Sequence, residues 1–452
     1  MKPLSLLLAA FYVGVAFADQ PVSSLAQPVT VKAAGVHELT QPVVLSQRVG
    51  SLAFSTPLQT DPKIKAAPCA ELIGAGPAVT VLRFPKGTTG KPLISNAGLG
   101  TAIDAFFSNS KGNTCFCPTV SNLAVDGQAG LHNEPYYRNS TPDLYGPDFV
   151  PTADGVSLQG TGIRGEHLRL FQIPGTALVM RGGGGGNYGQ FCAYDYATSR
   201  ASDVEILNCY AGIDDSVGDS RAERIAIAGV AKDGVVASGP GTYLDDIHVW
   251  GADRGAVFST QIIGTNLYLE ASRIGLHVLY HSDGSEVDGL NIGPGTCWER
   301  GALIESDEVA ISRLKGTVRT DTVGVEIKPY RANVSIQGRL GFSGPAIGIL
   351  LAGHNNCADL SASSEIKGTT FVKVVQVADS LPTKIDVRVR GFLGAGVALD
   401  LSESGLDKAG GQGNKFDVKC NGNGTPVIYP GGGTKYNLAE GNTVLIDDEV
   451  QK

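Results

Sequence analysis

Methionine and tryptophan are almost absent from this sequence, with two residues of each in a chain of 452. Charged residues are also few (18%), whereas glycine occurs 60 times. This composition is typical of chains rich in strands and turns, and it argues against a helical or a disordered protein. No basic cluster is present and the formal net charge is −8, so we expect no nucleic-acid partner.

Long hydrophobic runs are missing as well, except at the N-terminus. Lys2 precedes an apolar run from Leu4 to Ala18 that ends in Ala-Phe-Ala, the pattern of a secretory signal peptide. We therefore expect cleavage after Ala18, a secreted mature chain and no membrane-spanning segment.

The eight cysteines suit an oxidising compartment, and their spacing does not indicate a zinc site. Cys192 and Cys209 lie about one repeat apart and are the first candidates for a disulfide. Buried free thiols are the alternative interpretation.

A short unit is repeated from Ser202 to Tyr429, with a period of roughly 20–26 residues. Each copy contains an alternating apolar strand, a few turn residues, a small residue that is usually glycine, and a second apolar strand. Ile247-His248-Val249 followed by Gly255-Ala256-Val257 is one example. A single unit cannot bury its apolar face, but stacked units bury a continuous core.

These strands, with no helical pattern between them, predict an all-β fold, a right-handed single-stranded parallel β-helix. A leucine-rich repeat would need a Leu/Asn signature, and a propeller blade would need about forty residues in four antiparallel strands. We expect one domain over 19–452, with loop-bearing N-terminal coils at about 28–200, regular coils at 201–430 and a C-terminal cap at 431–452.

Two segments carry a family resemblance: Pro118 to Gly127, and Ser202 to Cys209 leading to Gly212-Ile213. Their rhythm resembles the pectate-lyase-like (pectin-lyase-fold) superfamily, which includes pectate lyases, polygalacturonase-type glycoside hydrolases and phage tailspike depolymerases. The resemblance implies recognition of a polysaccharide along the side of the helix, with cleavage by a hydrolase or a lyase.

A local match is to the polygalacturonases. Tyr210 to Asp215 resembles the region of their paired aspartates. Gly324 to Lys328 resembles their Gly-x-Arg-Ile-Lys strand, with Glu326 in the place of arginine. No Asn-Thr-Asp precedes the aspartate pair and no Gly-His-Gly follows it.

Outward residues of successive coils should form ladders, because neighbouring strands lie about 4.8 Å apart. One predicted ladder is polar and contains an aromatic ring: Glu205, Ala226, His248, Tyr268 and Asn291. The second strand of the unit predicts another: Asp214, Val236, Val257, His277, Leu303 and Glu326. The residues expected to bind substrate are His248, Tyr268, Asn291, Trp250, His277, Trp298, Glu299 and Arg300.

The catalytic candidates are Asp214, Asp215 and Glu205. Glycoside hydrolysis needs one protonated and one ionised carboxyl group, about 5–9.5 Å apart. Adjacent carboxylates raise one another's pKa, which favours an acid among them. The alternative is that Asp214-Asp215 begins a turn, where aspartate is common.

Lyase chemistry would need a base, with a cation or calcium to neutralise a uronate. Arg300 beside Glu299, or Lys328, could neutralise the uronate, and Asp214, Asp215 and Asp219 could hold calcium. The sequence requires no cofactor, and Glu299-Arg300 is otherwise a surface ion pair. For His248, His277 and His281 we favour solvated side chains over a metal site.

A non-catalytic function is the alternative to an enzyme. The absent polygalacturonase triplets and the small outward residues Ala226, Ala310 and Ser335 would suit a rigid rod. Such a rod would be an extracellular adhesion or spike protein that associates with itself as a trimer or filament.

Overall fold

The computed structural model describes residues 29–30, 34–39, 42–44, 71–88, 92–95, 118–129, 151–160, 162–182, 199–292, 297, 299–319, 321–328, 333–352, 356–362, 368–375, 385–392, 396–407, 413–420 and 424–451. The predicted signal peptide (1–18) and Trp298 lie outside these ranges. The described part consists of strands and turns, and none of it forms a helix that could cross a membrane.

The strands belong to two sheets. Sheet 1 contains β1 (Val29–Thr30), β2 (Gly35–Glu38), β4 (Glu71–Ile73), β5 (Thr80–Arg83), β7 (Thr119–Asp126), β9 (Arg164–Phe171), β11 (Arg200–Leu207), β13 (Arg221–Ala228), β15 (Thr242–Trp250), β17 (Ile262–Glu270), β19 (Glu286–Ile292), β21 (Ala310–Val318), β23 (Ser335–Phe342), β25 (Cys357–Ala362), β27 (Asp386–Phe392), β29 (Lys415–Cys420), β31 (Thr443–Ile446) and β32 (Glu449–Gln451). Sheet 2 contains β3 (Val43–Val44), β6 (Ile94–Ser95), β8 (Val156–Gly160), β10 (Thr176–Gly182), β12 (Ala211–Ser216), β14 (Asp233–Ala237), β16 (Arg254–Phe258), β18 (Ile274–Val278), β20 (Arg300–Ile304), β22 (Val323–Ile327), β24 (Ile347–Leu351), β26 (Thr370–Val375), β28 (Val397–Glu403) and β30 (Thr425–Ile428).

From β7 onward the chain alternates between the two sheets, and each strand pairs in parallel with the strand one coil earlier and one coil later. Parallel strands joined by such crossovers wind right-handedly. The predicted parallel β-helix is therefore confirmed. At the C-terminus β32 turns back and pairs antiparallel with β31.

A bend divides each long strand of sheet 1 from β9 to β21 into two arms. The residue at the bend has a positive φ, of 51° to 56° at the non-glycine positions and 84° at Gly289. This left-handed conformation turns the chain within a continuous strand. The bend residues are His167, Asp203, Arg224, Asp246, Asn266, Gly289 and Arg313. Each coil thus has three straight segments: a first and a second arm in sheet 1, and one strand in sheet 2.

The core is a stack of inward ladders. In the second arm Ile206, Ile227, Val249 and Leu269 follow one another at successive coils, each at most 2% exposed. Alternation along each strand leaves the intervening residues outside, as the repeat predicts. The outward ladders of the two sheets therefore form separate faces.

The glycine of the repeat stands at one position of sheet 2, at Gly212, Gly234, Gly255, Gly275, Gly301, Gly324 and Gly348. A Cβ atom at Gly255 would lie 2.6 Å from the carbonyl oxygen of Gly275 on the next coil. The coils can approach this closely only where the residue that faces the carbonyl oxygen lacks a Cβ atom. This contact explains why the sequence repeats a small residue there.

We expect Gly255→Ala to lower the free energy of unfolding by about 1–3 kcal/mol, as overpacking does in a closed core. The matched control is Gly433→Ala, whose Cβ would have its nearest neighbour 4.0 Å away. The control should stay within about 0.5 kcal/mol of the wild type. Urea denaturation of both variants measures this, and equal effects would show that the coils tolerate a methyl group at this position.

Four of the cysteines are described, and all are free thiols: Cys209, Cys297, Cys357 and Cys420. Cys209 is buried, and its thiol lies 3.4 Å from the carbonyl oxygen of Leu207. Burial raises the pKa of Cys209 and of Cys297 to about 12. Cys192 lies outside the described residues. Cys209 is a free thiol that packs in the core, which contradicts the predicted Cys192–Cys209 disulfide.

Candidate functional site

The polar ladder predicted for the first strand of the repeat lies on the outer face of the second arm of sheet 1. Glu205, Ala226, His248, Tyr268 and Asn291 occupy equivalent positions on five successive coils, as predicted. Trp250 belongs to the next outward ladder, between Ala228 and Glu270. We call this surface the sheet 1 face.

Side chains on the sheet 1 face interact across coils. The Nε2 atom of His248 is 2.9 Å from a carboxylate oxygen of Glu270. The hydroxyl of Tyr268 donates to the other oxygen of that carboxylate at 3.2 Å. The rings of His248 and Tyr268 are 4.5 Å apart between centroids. Burial, and then the charge of Glu270, raise the pKa of Tyr268, so its hydroxyl remains a donor.

Glu205 lies on the same face, three coils before Tyr268. Its carboxylate pairs with Arg169 of the preceding coil at 3.1 Å. The charged group next to the Glu205 carboxylate is therefore the guanidinium of Arg169 and not a second carboxyl group. The structure thus places Glu205 on a different sheet from Asp214 and does not bring the two predicted catalytic residues together.

The second predicted ladder lies on the outer side of sheet 2. Asp214, Val236, Val257, His277, Leu303 and Glu326 occupy equivalent positions on successive coils, as predicted. Arg300 begins β20 and Glu299 precedes it, so both flank this ladder. We call this surface the sheet 2 face. The described substrate-binding candidates therefore do not form one site. The sheet 1 face carries His248, Trp250, Tyr268 and Asn291, and the sheet 2 face carries His277, Glu299 and Arg300.

Asp214 is the half-buried carboxyl group of the sheet 2 face. Burial is the main cause that raises its pKa, and the negative charges of Asp154 and Asp233 raise it further. The positive charge of Arg181 opposes this increase. A carboxyl group whose pKa is raised in this way is a candidate general acid.

The structure contradicts the prediction that Asp215 is a catalytic residue. Its side chain points inward, in a ladder with Met180 and Ala237, and it is fully buried. Ser220 Oγ donates to one carboxyl oxygen at 2.7 Å, and the backbone N–H of Val217 donates to the other at 3.0 Å. Adjacent residues of a strand point to opposite faces, so Asp214 and Asp215 cannot face one substrate together. We no longer regard Asp215 as a catalytic candidate.

Asp233 stands on the coil after Asp214, at the start of β14. Arg254 of the following coil binds its carboxylate with two hydrogen bonds, of 2.6 and 2.7 Å. The other terminal nitrogen of Arg254 is 3.5 Å from Nδ1 of His277, whose Nε2 is 2.9 Å from Glu305. This network extends over four successive coils and fixes the position of Asp233.

A second network of charges runs beside the first. Arg273 donates to Asp253 at 2.7 Å and to Glu299 at 2.7 Å. Arg300 pairs with Glu299 at 2.9 Å and also with Glu326, which Lys328 contacts at 3.1 Å. Glu299 and Arg300 are thus an ion pair, the alternative that the sequence left open, within a larger network.

The sequence analysis does not single out Asp233 and Arg254, although their position in the repeat indicates that they face outward. Both directly precede the glycine of their repeat, as Arg300 does. Aligning the repeats on that glycine would have revealed a third outward ladder, with charged residues on three coils. The ion pairs between coils could not be read from the sequence.

Among the described residues, no group of three or more His, Cys, Asp or Glu side chains could hold a metal ion. Asp214 and Asp215 point to opposite faces, so together they cannot form the calcium site considered above. His248 and His277 lie on different sheets, and each contacts a glutamate.

Comparison with known proteins gives one solved structure and no relatives in sequence. No model of a known protein family matches the chain, and no curated protein matches it. The solved structure is the catalytic domain of a GH87 alpha-1,3-glucanase in complex with nigerose. The match covers 92% of this chain and 64% of the other, with 13% identity and a TM-score of 0.35.

Proposed function

We propose that this chain binds a polysaccharide along the side of the β-helix and cleaves it at the sheet 2 face. One observation supports this proposal most strongly. Asp214 is a half-buried, outward carboxyl group with a raised pKa, and an arginine-bound carboxylate, Asp233, stands on the next coil. An acid and an ionised carboxylate are the two groups that glycoside hydrolysis requires.

In the proposed reaction Asp214 donates its proton to the oxygen of the glycosidic bond. The bond between that oxygen and the anomeric carbon breaks, and a water molecule adds to the anomeric carbon. Asp233 accepts the proton that this water loses. The products are two sugar ends, one of them reducing, and a proton finally returns from Asp233 to Asp214 through solvent.

We propose the sheet 1 face as a surface that binds the polysaccharide away from the cleavage site. His248, Tyr268 and Trp250 supply rings, and Glu270 supplies acceptors for sugar hydroxyls. Aromatic rings with nearby polar groups provide both stacking area and hydrogen bonds. Among the described residues the rings of His248 and Tyr268 contact one carboxylate, that of Glu270, so we assign this face binding and no chemistry.

Tyr268→Ala should weaken retention on an insoluble polysaccharide about three- to ten-fold, the loss expected for about 0.5–1.5 kcal/mol of ring contact. Cleavage of short soluble oligosaccharides should not change, because they need only the sheet 2 face. The matched control is Tyr243→Ala, a tyrosine on the first arm that is 49% exposed. Equal loss of retention in both variants would contradict a binding role for Tyr268.

The proposed activity is tested by incubating the mature chain, from residue 19, with neutral and acidic polysaccharides. New reducing ends would indicate hydrolysis, and 4,5-unsaturated ends would indicate a lyase; each is read with and without calcium. We expect reducing ends without a calcium requirement. No new ends of either kind across the panel, together with a stable oligomer by light scattering, would favour the rigid rod.

The same proposal places the chain outside the cell, where such substrates occur. Mass spectrometry of the exported protein would show whether it begins at Asp19.

A further inference from the structure

On the sheet 2 face, carboxylates of the protein already occupy three guanidinium groups, those of Arg254, Arg273 and Arg300. Asp233 binds both donors on one side of Arg254, and Asp253 binds Arg273 in the same way, at 2.7 and 3.3 Å. Arg300 lies between Glu299 and Glu326. A uronate is recognised by the same planar fork of donors that these aspartates occupy. A uronate that used these same donors would have to displace an acidic side chain of the protein.

Arg181 is the remaining guanidinium near the acid, and its surroundings oppose a uronate as well. Its charge acts on Asp214, where the charges of Asp154 and Asp233 also act. A uronate carboxylate placed there would meet these neighbouring carboxyl groups at short range. Like charges in a partly buried site repel one another with little screening.

The same carboxylates suit a neutral sugar. An ionised carboxylate only accepts hydrogen bonds, and each of its two oxygens can accept more than one. Glu299 is 42% exposed and Glu305 is 36% exposed, so oxygen atoms of both remain accessible beside their ion pairs. Neutral sugars present hydroxyl donors and carry no charge that these groups would repel.

We infer that the substrate of the sheet 2 face is a neutral glycan, cleaved by hydrolysis, and that polyuronates are rejected by its ion-paired arginines and carboxylates. This inference rests on the proposed function, because it specifies the substrate class of the same site. It also decides between the two reactions considered above: β-elimination requires a uronate, whereas addition of water requires only the glycosidic bond.

The test measures binding of neutral and uronate oligosaccharides to the Asp214→Asn variant by isothermal titration calorimetry. Salt is set at about 10 mM and about 1 M, where the screening length falls from about 30 to 3 Å. Neutral oligosaccharides should bind with the same affinity at both concentrations. Uronate oligosaccharides should bind more weakly than neutral ones at low salt, and the difference should shrink at high salt.

The variant Glu299→Gln should bind uronate oligosaccharides more tightly than the wild-type side chain does. It removes one negative charge while Arg273 retains Asp253 and Arg300 retains Glu326. We expect uronate affinity at low salt to rise about two- to five-fold, the range of an exposed ion pair of about 0.4–1 kcal/mol. The control is Asp288→Asn, which removes the same charge from an exposed pair with Arg313 on sheet 1. The control should leave uronate affinity unchanged.

The outcomes separate this inference from the proposed function. Uronates that bind more tightly than neutral glycans at low salt, or unsaturated ends released from a polyuronate by the wild type, would overturn the inference and leave a polysaccharide-cleaving function in place. Equal gains in Glu299→Gln and Asp288→Asn would also overturn it, because the effect would then not belong to the sheet 2 face. Failure of both glycan classes to bind or to be cleaved would overturn the proposed function itself.

Discussion

Replacing Asp214 with asparagine should reduce kcat on the preferred polysaccharide by about 10²–10⁴-fold, the contribution of a positioned general acid. Asparagine has almost the same shape and can still form hydrogen bonds with a sugar, but it cannot donate a proton to the leaving oxygen. KM should therefore change little. Because burial raises the pKa of Asp214, the wild-type kcat/KM should fall on the alkaline side as this group loses its proton. That limb should be absent from the residual activity of the variant.

The neighbouring residue provides the control for this prediction. Asp215→Asn changes the same chemical group one position along the chain, but its side chain lies in the core. We expect it to retain activity within about two-fold of the wild type. Equal losses in the two variants, or a loss confined to Asp215→Asn, would contradict the assignment of the acid to the outward position.

Asp215→Asn should instead raise stability at neutral pH. Burial is the main cause that raises the pKa of Asp215 from 3.8 to about 6. The folded state therefore holds this proton more tightly than the unfolded state. The stability that comes from this difference is fully present below the unfolded pKa of 3.8 and is lost as the pH rises through about 6. A shift of about two units corresponds to about 3 kcal/mol.

The hydrogen bonds around Asp215 can be kept in the variant. The amide oxygen of asparagine can accept from the N–H of Val217, and its NH₂ can donate to Ser220 Oγ, which can donate in turn to Thr242 Oγ1 at 2.9 Å. The free energy of unfolding of Asp215→Asn minus that of the wild type should increase by about 2.5 kcal/mol between about pH 4 and pH 7.5. Urea denaturation across this range measures it. Parallel curves for the two proteins would show that Asp215 does not titrate in the core.

Much of the fold could be predicted from the repeat, because strand alternation and stacking are both periodic. The ladders from Glu205 to Asn291 and from Asp214 to Glu326 match the register of the strands residue by residue. Alternation could also have separated Asp214 from Asp215. The resemblance to paired aspartates instead predicts two neighbouring catalytic groups, and the inward position of Asp215 contradicts that prediction.

The candidate site was harder to predict, because its geometry depends on the turns between strands. Spacing placed His248 and His277 on different strands of the unit, but it did not show that each contacts a glutamate. Nor did it show that Arg254 binds Asp233, since that contact joins two coils through the length and direction of a guanidinium side chain. The charge network that begins at Asp233 therefore appears only once the coils are stacked.

The most direct test of the sheet 2 site is a crystal structure of Asp214→Asn with an oligosaccharide that the wild type cleaves. We predict that the glycosidic oxygen lies within about 2.6–3.2 Å of the side chain of residue 214, with Asp233 on the side of the anomeric carbon. An oligosaccharide bound across the described coils with its scissile bond at the sheet 1 face, and the sheet 2 face empty, would contradict the assignment.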